Sequence, residues 1–406
     1  MVGAATGMQV LQAALVNNAF GAYVAVLTEE RGWSKTALSG AAALQQMEAA
    51  VLGPVLGWLL DRFGPAVFIR VGIFAFGGGL MLLSTVDTLG GFYAAFIVIA
   101  LGGSLAGFFP LNVALIHWFE RFRARALSAM SLGIAIGGLA TPLIAWSLQT
   151  FGWRPTAFYS GVIAIVVGFP LALVMRNKPE NYGLTVDGLD KAPAVDLEKT
   201  IGGTPRPATR DFTAREALRT RAFWLLSLGH GFALFSVHTV LVHAITHLKE
   251  GLGYTIAAAA LIMALVTAFQ IVGVAVGWWI GDRFDKRLIC AACMLAHAVG
   301  LLLLTYAFHM WMLIAFAVLH GTAWGLRGPF MQAIRADYFG RAAIGMILGL
   351  SYTIIILGQV GGPMIAGIFA DSTGDYRTGF TVLAVLAGLG SFFFILAKKP
   401  VRPTLA

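Results

Sequence analysis

The stretch Gly57-Trp-Leu-Leu-Asp61-Arg62-Phe-Gly64 returns in the second half of the chain as Gly277-Trp-Trp-Ile-Gly281-Asp282-Arg283-Phe-Asp285-Lys286-Arg287. Each copy closes a long apolar run. Gly57 permits close approach of helices, Asp61 beside Arg62 suits charge-assisted hydrogen bonds, and Gly64 permits a tight turn. In the second copy Gly277 stands one position earlier relative to Asp282. One loop written twice implies two repeated halves, with each copy a candidate gate: Gly57, Asp61 and Arg62 in the first, Asp282 and Arg283 in the second.

The runs around these loops are membrane spans. Hydrophobic residues make up 58% of 406 positions, charged residues 12%, and mean hydropathy is +0.81. A soluble protein of this length carries roughly twice that charge, which excludes a large soluble enzyme. Apolar runs near the ~20 residues of a bilayer crossing predict helices at 7–28, 37–60, 66–86, 92–117, 125–149 and 154–175. A second set falls at 221–247, 255–280, 287–308, 310–334, 343–370 and 378–397. The fold expected is an all-α integral membrane protein, twelve transmembrane helices in two pseudo-symmetric six-helix bundles. Residues 1–175 form the first bundle, the Pro-, Gly- and charge-rich segment 176–220 a cytoplasmic linker, and 221–406 the second bundle. Gly133, Gly137, Gly138 and Pro142 of helix 5 are echoed by Gly358, Gly361, Gly362, Pro363 and Gly367 of helix 11.

The net charge of +9 does not imply a nucleic-acid partner, because Lys and Arg sit in short stretches between the runs. With both termini in the cytoplasm, only Arg31, Lys35, Arg154, Lys249 and Arg377 fall outside, and Arg327 stays within the membrane. The other Lys and Arg, Arg335 and Arg341 among them, fall inside. The N-terminus lacks a basic region and a small-residue cleavage site, so the first run reads as a retained helix. Cys290 and Cys293 lie in an apolar run, on one helical face but without good disulfide geometry, and read as structural. His243 and His247, with Glu250, have metal-ligand spacing at an interface where histidines are common, and no metal site is assigned. No phosphate-cradling loop is present in the sequence, and no cofactor is expected.

Twelve helices, a central linker and two copies of the 57–64 loop make the whole chain resemble the major facilitator superfamily. Pro65 and Ala66 stand where that signature usually has a basic pair. Three further stretches resemble bacterial members of the monocarboxylate and oxalate–formate carrier group. They are Arg31-Gly32-Trp33-Ser34, Trp118-Phe119-Glu120-Arg121-Phe-Arg123-Ala-Arg125-Ala126 and Asp337-Tyr338-Phe339-Gly340-Arg341. That group often holds its carboxylate with a basic residue on helix 8 or 11. Here helix 8 shows Gln270 instead, and helix 11 has no Lys or Arg.

The candidate that carries most weight is Arg327, in Gly325-Leu-Arg327-Gly-Pro329, roughly 12 Å up helix 10 from Arg335. A charge at that depth costs several kcal/mol unless it faces a cavity or a partner. It reads as an anion clamp, or else as an internal ion pair with Glu48. His320, seven residues earlier, projects from nearly the same face. Glu48 is the only acid deep in any predicted span and is a candidate carrier of a coupling proton, as are His230 and His238 on helix 7. Asn17, Asn18, Asn112, Tyr352 and Gln359 complete the polar set. Each alone is a candidate ligand or interhelical glue, and the resemblance implies that helices 1, 4, 7 and 10 line a central cavity.

The resulting expectation is a non-enzymatic secondary carrier that moves a small organic anion, a mono- or dicarboxylate, by alternating access with proton symport. Arg327, His320, Asn17, Asn18, Tyr352, Asn112 and Gln359 would bind the anion. The alternatives are an anion exchanger of the oxalate–formate type and a transporter-derived sensor, for which the linker and tails look short. Partners are the anion, H+ and the lipid bilayer, with no nucleic acid, and the chain is expected to act as a monomer. Short loops without an Asn-x-Ser/Thr sequon fit a bacterial inner membrane.

Overall fold

In hydrocarbon every backbone N–H and C=O must be bonded within its own segment, so long apolar runs become helices. The computed structural model describes residues 1–17, 19–188 and 209–404, and these are built almost wholly of helix. The first half contains α1 (Val2–Arg31), α2 (Lys35–Phe63), α3 (Pro65–Leu83), α4 (Leu89–Trp118), α5 (Arg123–Phe151) and α6 (Trp153–Val174). The second contains α7 (Arg221–Gly251), α8 (Ile256–Ile280), α9 (Lys286–Thr305), α10 (Met310–Phe339), α11 (Ile344–Thr373) and α12 (Arg377–Leu396). Of these, ten are long and apolar enough to cross a membrane by length and composition; α2 and α10 are not among the ten.

Local sequence sets the helix starts. Ser34, Thr88, Thr220 and Thr255 each accept a hydrogen bond from the backbone N–H three residues on, and Asp285 accepts from Arg287 N. Three columns are broken inside: α1 by a π-helical segment at Ala13–Asn17, α4 at Gly107, and α5 between Gly138 and Thr141. Pro54, Pro329 and Pro363 lie within α2, α10 and α11 without ending them.

Each half packs chiefly on itself, with α3 against α4 and α6 in the first, and α10 against α8 and α9 in the second. The halves meet through α2 on α11 and through the first part of α5 on α8 and α10. At the first seam the backbones touch: a Cβ on Gly57 would lie 2.3 Å from Gly345 O, and one on Gly349 2.3 Å from Gly53 O. The outer segments Phe20–Arg31 of α1 and Thr141–Phe151 of α5 pack within their own half. The halves are therefore joined at the end bearing Asp61 and Asp282 and part toward the other.

Three sequence expectations change. Helix 3 stops at Leu83 and helix 10 runs on to Phe339. The segment 176–220, read as a Pro-, Gly- and charge-rich linker, holds short turns at Pro179–Tyr182 and Val186–Gly188 and the helix Ala214–Leu218. Residues 189–208 of it lie outside the described residues. Arg335, placed at the cytoplasmic end by sequence, is enclosed, because α10 continues past it and α7 covers it.

Candidate functional site

The parting of the halves leaves one cavity with two lobes. The lobe on the first-half side has a volume of about 500 Å³ and is walled by Gln12, Asn17, Phe20, Gln45, Ser104 and Phe109, among others. The lobe on the second-half side, about 220 Å³, is lined by Arg327, His230, Gln270, Trp324 and Gln332, with Ser131 of α5. Phe108, His238, Tyr352 and Gln359 belong to both and form the neck.

Arg327 is 1% exposed, and its Nη1 donates to the Met331 thioether at 3.3 Å. Its Nε has no partner, and among the described residues no carboxylate pairs with it. Glu48 instead accepts from Ser104 Oγ at 2.9 Å within its own half, so the ion pair of Arg327 with Glu48 is not formed here. A thioether is a weak acceptor for a guanidinium, and the cavity is where a stronger one fits.

Arg335 supplies a second buried guanidinium that sequence position disguised. It donates to Met331 O at 2.8 Å, Leu226 O at 3.2 Å and His230 Nδ1 at 3.4 Å. Arginine has only donors, so in this contact His230 Nδ1 is the acceptor. His230 stands at the edge of the Arg327 lobe.

Of the expected ligands, Asn17, Tyr352 and Gln359 line the cavity, as does His238. His320 does not: it is 0% exposed and its Nδ1 lies 3.1 Å from Nδ1 of His297 on α9, because its ring turns to the back of α10. Asn112 is also withdrawn, donating to Phe108 O one turn earlier in the same helical segment at 2.6 Å. Asn18 lies outside the described residues. Sequence reasoning missed Gln12, Ser104, Trp324, Gln332 and Arg335. Polar residues in apolar runs mark Gln12 and Gln332, but nothing local marks Trp324 or Phe108 as walls.

The closed end is a reciprocal lock. Asp61 accepts from Gly345 N and Met346 N, both at 2.7 Å, and so caps the start of α11. Asp282 accepts from Ala124 N at the start of α5, at 3.0 and 3.2 Å, and pairs with Lys286 at 2.9 Å. Asp337 bonds Arg123 and also takes Lys286 at 2.7 Å. Arg341 reaches from the second half to His117 O at 2.6 Å and to Glu180 at 2.9 Å. Gly57, Asp61 and Asp282 thus enter the seal, while Arg62 and Arg283 do not. Arg62 lies over the Trp58 and Phe63 rings, 5.3 and 5.5 Å away, and Arg283 is exposed. Arg123 bonds Asp337 across the halves, and Lys286 joins Asp337 to Asp282 within the second half.

The second-half histidines of the outer end, His243 and His247, bond the carbonyls of Pro363 and Leu304.

Comparison with known proteins places this architecture. The model of the Major Facilitator Superfamily matches residues 6–279 and 231–406. Among curated proteins, monocarboxylate transporter 13 of Rattus norvegicus is 25% identical, covering 94% of this chain and 85% of its own. The glycerol-3-phosphate transporter of Bacillus subtilis (strain 168) is 24% identical, with 91% and 85% covered. Among solved structures, a proton:xylose symporter superposes with TM-score 0.75 at 15% identity, covering 100% of this chain and 96% of that one. A human organic anion transporter gives 0.71 at 13% identity, with 97% of each chain covered. At such identities these structures speak for the fold alone.

Proposed function

This chain belongs to the major facilitator superfamily, and from that premise we propose that it is a secondary carrier of an organic anion, coupled to protons and working by alternating access. One observation carries the reading: Arg327, buried on the cavity wall of a membrane protein, has a thioether and no carboxylate for company. An uncompensated guanidinium in that position is expensive, and its planar fork matches a carboxylate. His230, held beside Arg335, would give the same anion a second contact. The names of two relatives, a monocarboxylate and a glycerol-3-phosphate transporter, agree with an anionic cargo.

The proton would ride on Glu48. One of its oxygens is bonded to Ser104, which lines the cavity, and the other has no partner among the described residues. A carboxyl there can be neutral or charged as the cycle requires, which arginine cannot. The molecule is outward-facing if both termini are cytoplasmic, the orientation we favour from the distribution of Lys and Arg. Cysteine at exposed Ser34 or Ser372 should then react with an impermeant maleimide from outside, and cysteine at Arg121 should not.

The test of the clamp is calorimetric or thermal-shift titration of purified protein with carboxylates. Wild type should bind, Arg327→Lys should bind more weakly, and Arg327→Ala should lose binding. Wild-type affinity in Arg327→Ala removes the reading.

A further inference from the structure

The walls of the cavity say more than that an anion enters it. Resting on the clamp reading above, we infer that the cargo is a monocarboxylate with a flat aromatic body and a hydrogen-bond acceptor at the end remote from its carboxylate. Four features converge on this.

The first is charge. Among the described residues lining either lobe, Arg327 is the only Lys or Arg, and no Asp or Glu is present. One guanidinium matches one carboxylate, so a dicarboxylate would leave its second charge in a site without a cation. An amino acid's ammonium would meet no Asp or Glu on the lining and would compete with the proton for Glu48 behind Ser104. A charge left unpaired in such a site is costly.

The second is shape. The neck between the lobes is made by Phe108 of α4 and Tyr352 of α11, and Tyr352 stacks on Phe109 with ring centres 6.2 Å apart and planes 21° apart. A body lying beside these rings gains offset or edge contacts if it is aromatic. The third is size. A cargo as small as acetate held at Arg327 would reach only the 220 Å³ lobe and leave the 500 Å³ lobe to water.

The fourth is an unmet donor. Gln12, on the wall of the larger lobe, is only 6% exposed, and its Nε2 has no partner among the described residues. Gln45 and Asn17 line the same lobe. A buried amide N–H left unbonded costs free energy that an acceptor on the cargo recovers. The clamp and these amides lie in opposite lobes, which fixes the cargo's polarity: carboxylate toward the second half, acceptor toward the first.

The experiment is a thermal-shift and calorimetric panel of acetate, lactate, succinate, phenylalanine, 3-phenylpropionate and 3-(4-hydroxyphenyl)propionate on wild type, Arg327→Ala and Gln12→Leu. The phenolic acid should bind best, about fivefold better than 3-phenylpropionate and more than about tenfold better than lactate. Succinate and phenylalanine should bind weakly. In Gln12→Leu the advantage of the hydroxyl should vanish while 3-phenylpropionate keeps its affinity. Arg327-dependent binding in which lactate, succinate or phenylalanine equals the aromatic acids overturns this inference and leaves the clamp standing. Persistence of the hydroxyl advantage in Gln12→Leu overturns the assignment of the remote end. Binding of any acid that is indifferent to Arg327→Ala removes the clamp itself, and this inference with it.

Discussion

Helices α2 and α10 stand outside the ten most apolar columns, and they share one plan with the sign reversed. Each has a charge near its middle, Glu48 or Arg327, and an acid near the closed end of the molecule, Asp61 or Asp337. The end acids do the same work: Asp61 crosses to the first turn of α11, and Asp337 crosses to Arg123 of α5. The mid-span charges differ. Glu48 has a hydroxyl from its own half, whereas Arg327 has only a sulfur. A carboxyl can discharge itself by taking a proton; a guanidinium cannot, and must be neutralised from outside. On the proposed reading, the proton would go to the first half and the anion to the second, with the end acids timing the exchange.

The sharpest way to break that division is at Arg327. Arg327→Ala should weaken anion binding by at least about 100-fold, since two charge-assisted bonds at about 1.5–3 kcal/mol each are at stake. Arg327→Lys should weaken it less, and the melting temperature should not fall, because no buried partner is stranded. If Arg327→Ala lowers it and Glu48→Gln restores it, the two charges are paired in solution and the division collapses.

Next comes Glu48→Gln, which keeps shape and loses titration. Accumulation driven by a pH gradient in proteoliposomes should disappear while exchange of labelled for unlabelled anion continues. Continued pH-driven accumulation moves the proton elsewhere, and wild type that ignores the gradient is an exchanger.

The end acids should show a smaller, conformational effect. Asp61→Asn weakens two bonds to the start of α11, so the closed end opens more readily, by about tenfold in population for each 1.4 kcal/mol lost. Turnover should slow while equilibrium affinity for the anion stays near wild type. Asp282→Asn should do less, because its bonds to α5 are longer and Asp337 still holds Lys286. Normal turnover in Asp61→Asn excludes it from timing.

The smallest effect lies at the end away from the seal, at Asp87. Hydrogen bonds from Arg31 and Arg154 hold its carboxyl below the ordinary carboxylate range. A carboxyl bound more tightly as the anion stabilises the fold above its unfolded pKa, near 3.9, and that stabilisation fades as pH falls through the lower folded value. Asp87→Asn should melt slightly below wild type at neutral pH, with the two converging under acid. A difference that grows toward acid contradicts the pairing.

How much of this could be read before the fold was known divides along the same line. Periodicity and charge placement exposed the columns, the repeated loop and Arg327, because each is a local departure from an apolar background. Arg335 was legible as a residue but misplaced, since a basic residue near the predicted end of a run looks like an interface residue until α7 is seen to cover it. His320 failed for a related reason: seven residues from Arg327 is two turns, yet a small rotation sends its ring to His297 rather than to the cavity. Arg62 and Arg283 were taken with their neighbouring acids, but a side chain beside an acid in sequence need not share its face, and Arg62 found Trp58 instead.

By itself the sequence determined the membrane class, the two-half plan and the presence of one deep cation, because the hydrocarbon core acts on each residue separately and penalises charge wherever it stands. Tertiary structure alone decided which polar groups meet. Whether Glu48 faces Arg327 or Ser104, which Gln is left unbonded, and which end of the molecule is shut depend on how α2 and α11 close on Gly57 and Gly345, a contact between residues far apart in the chain whose geometry no local pattern encodes.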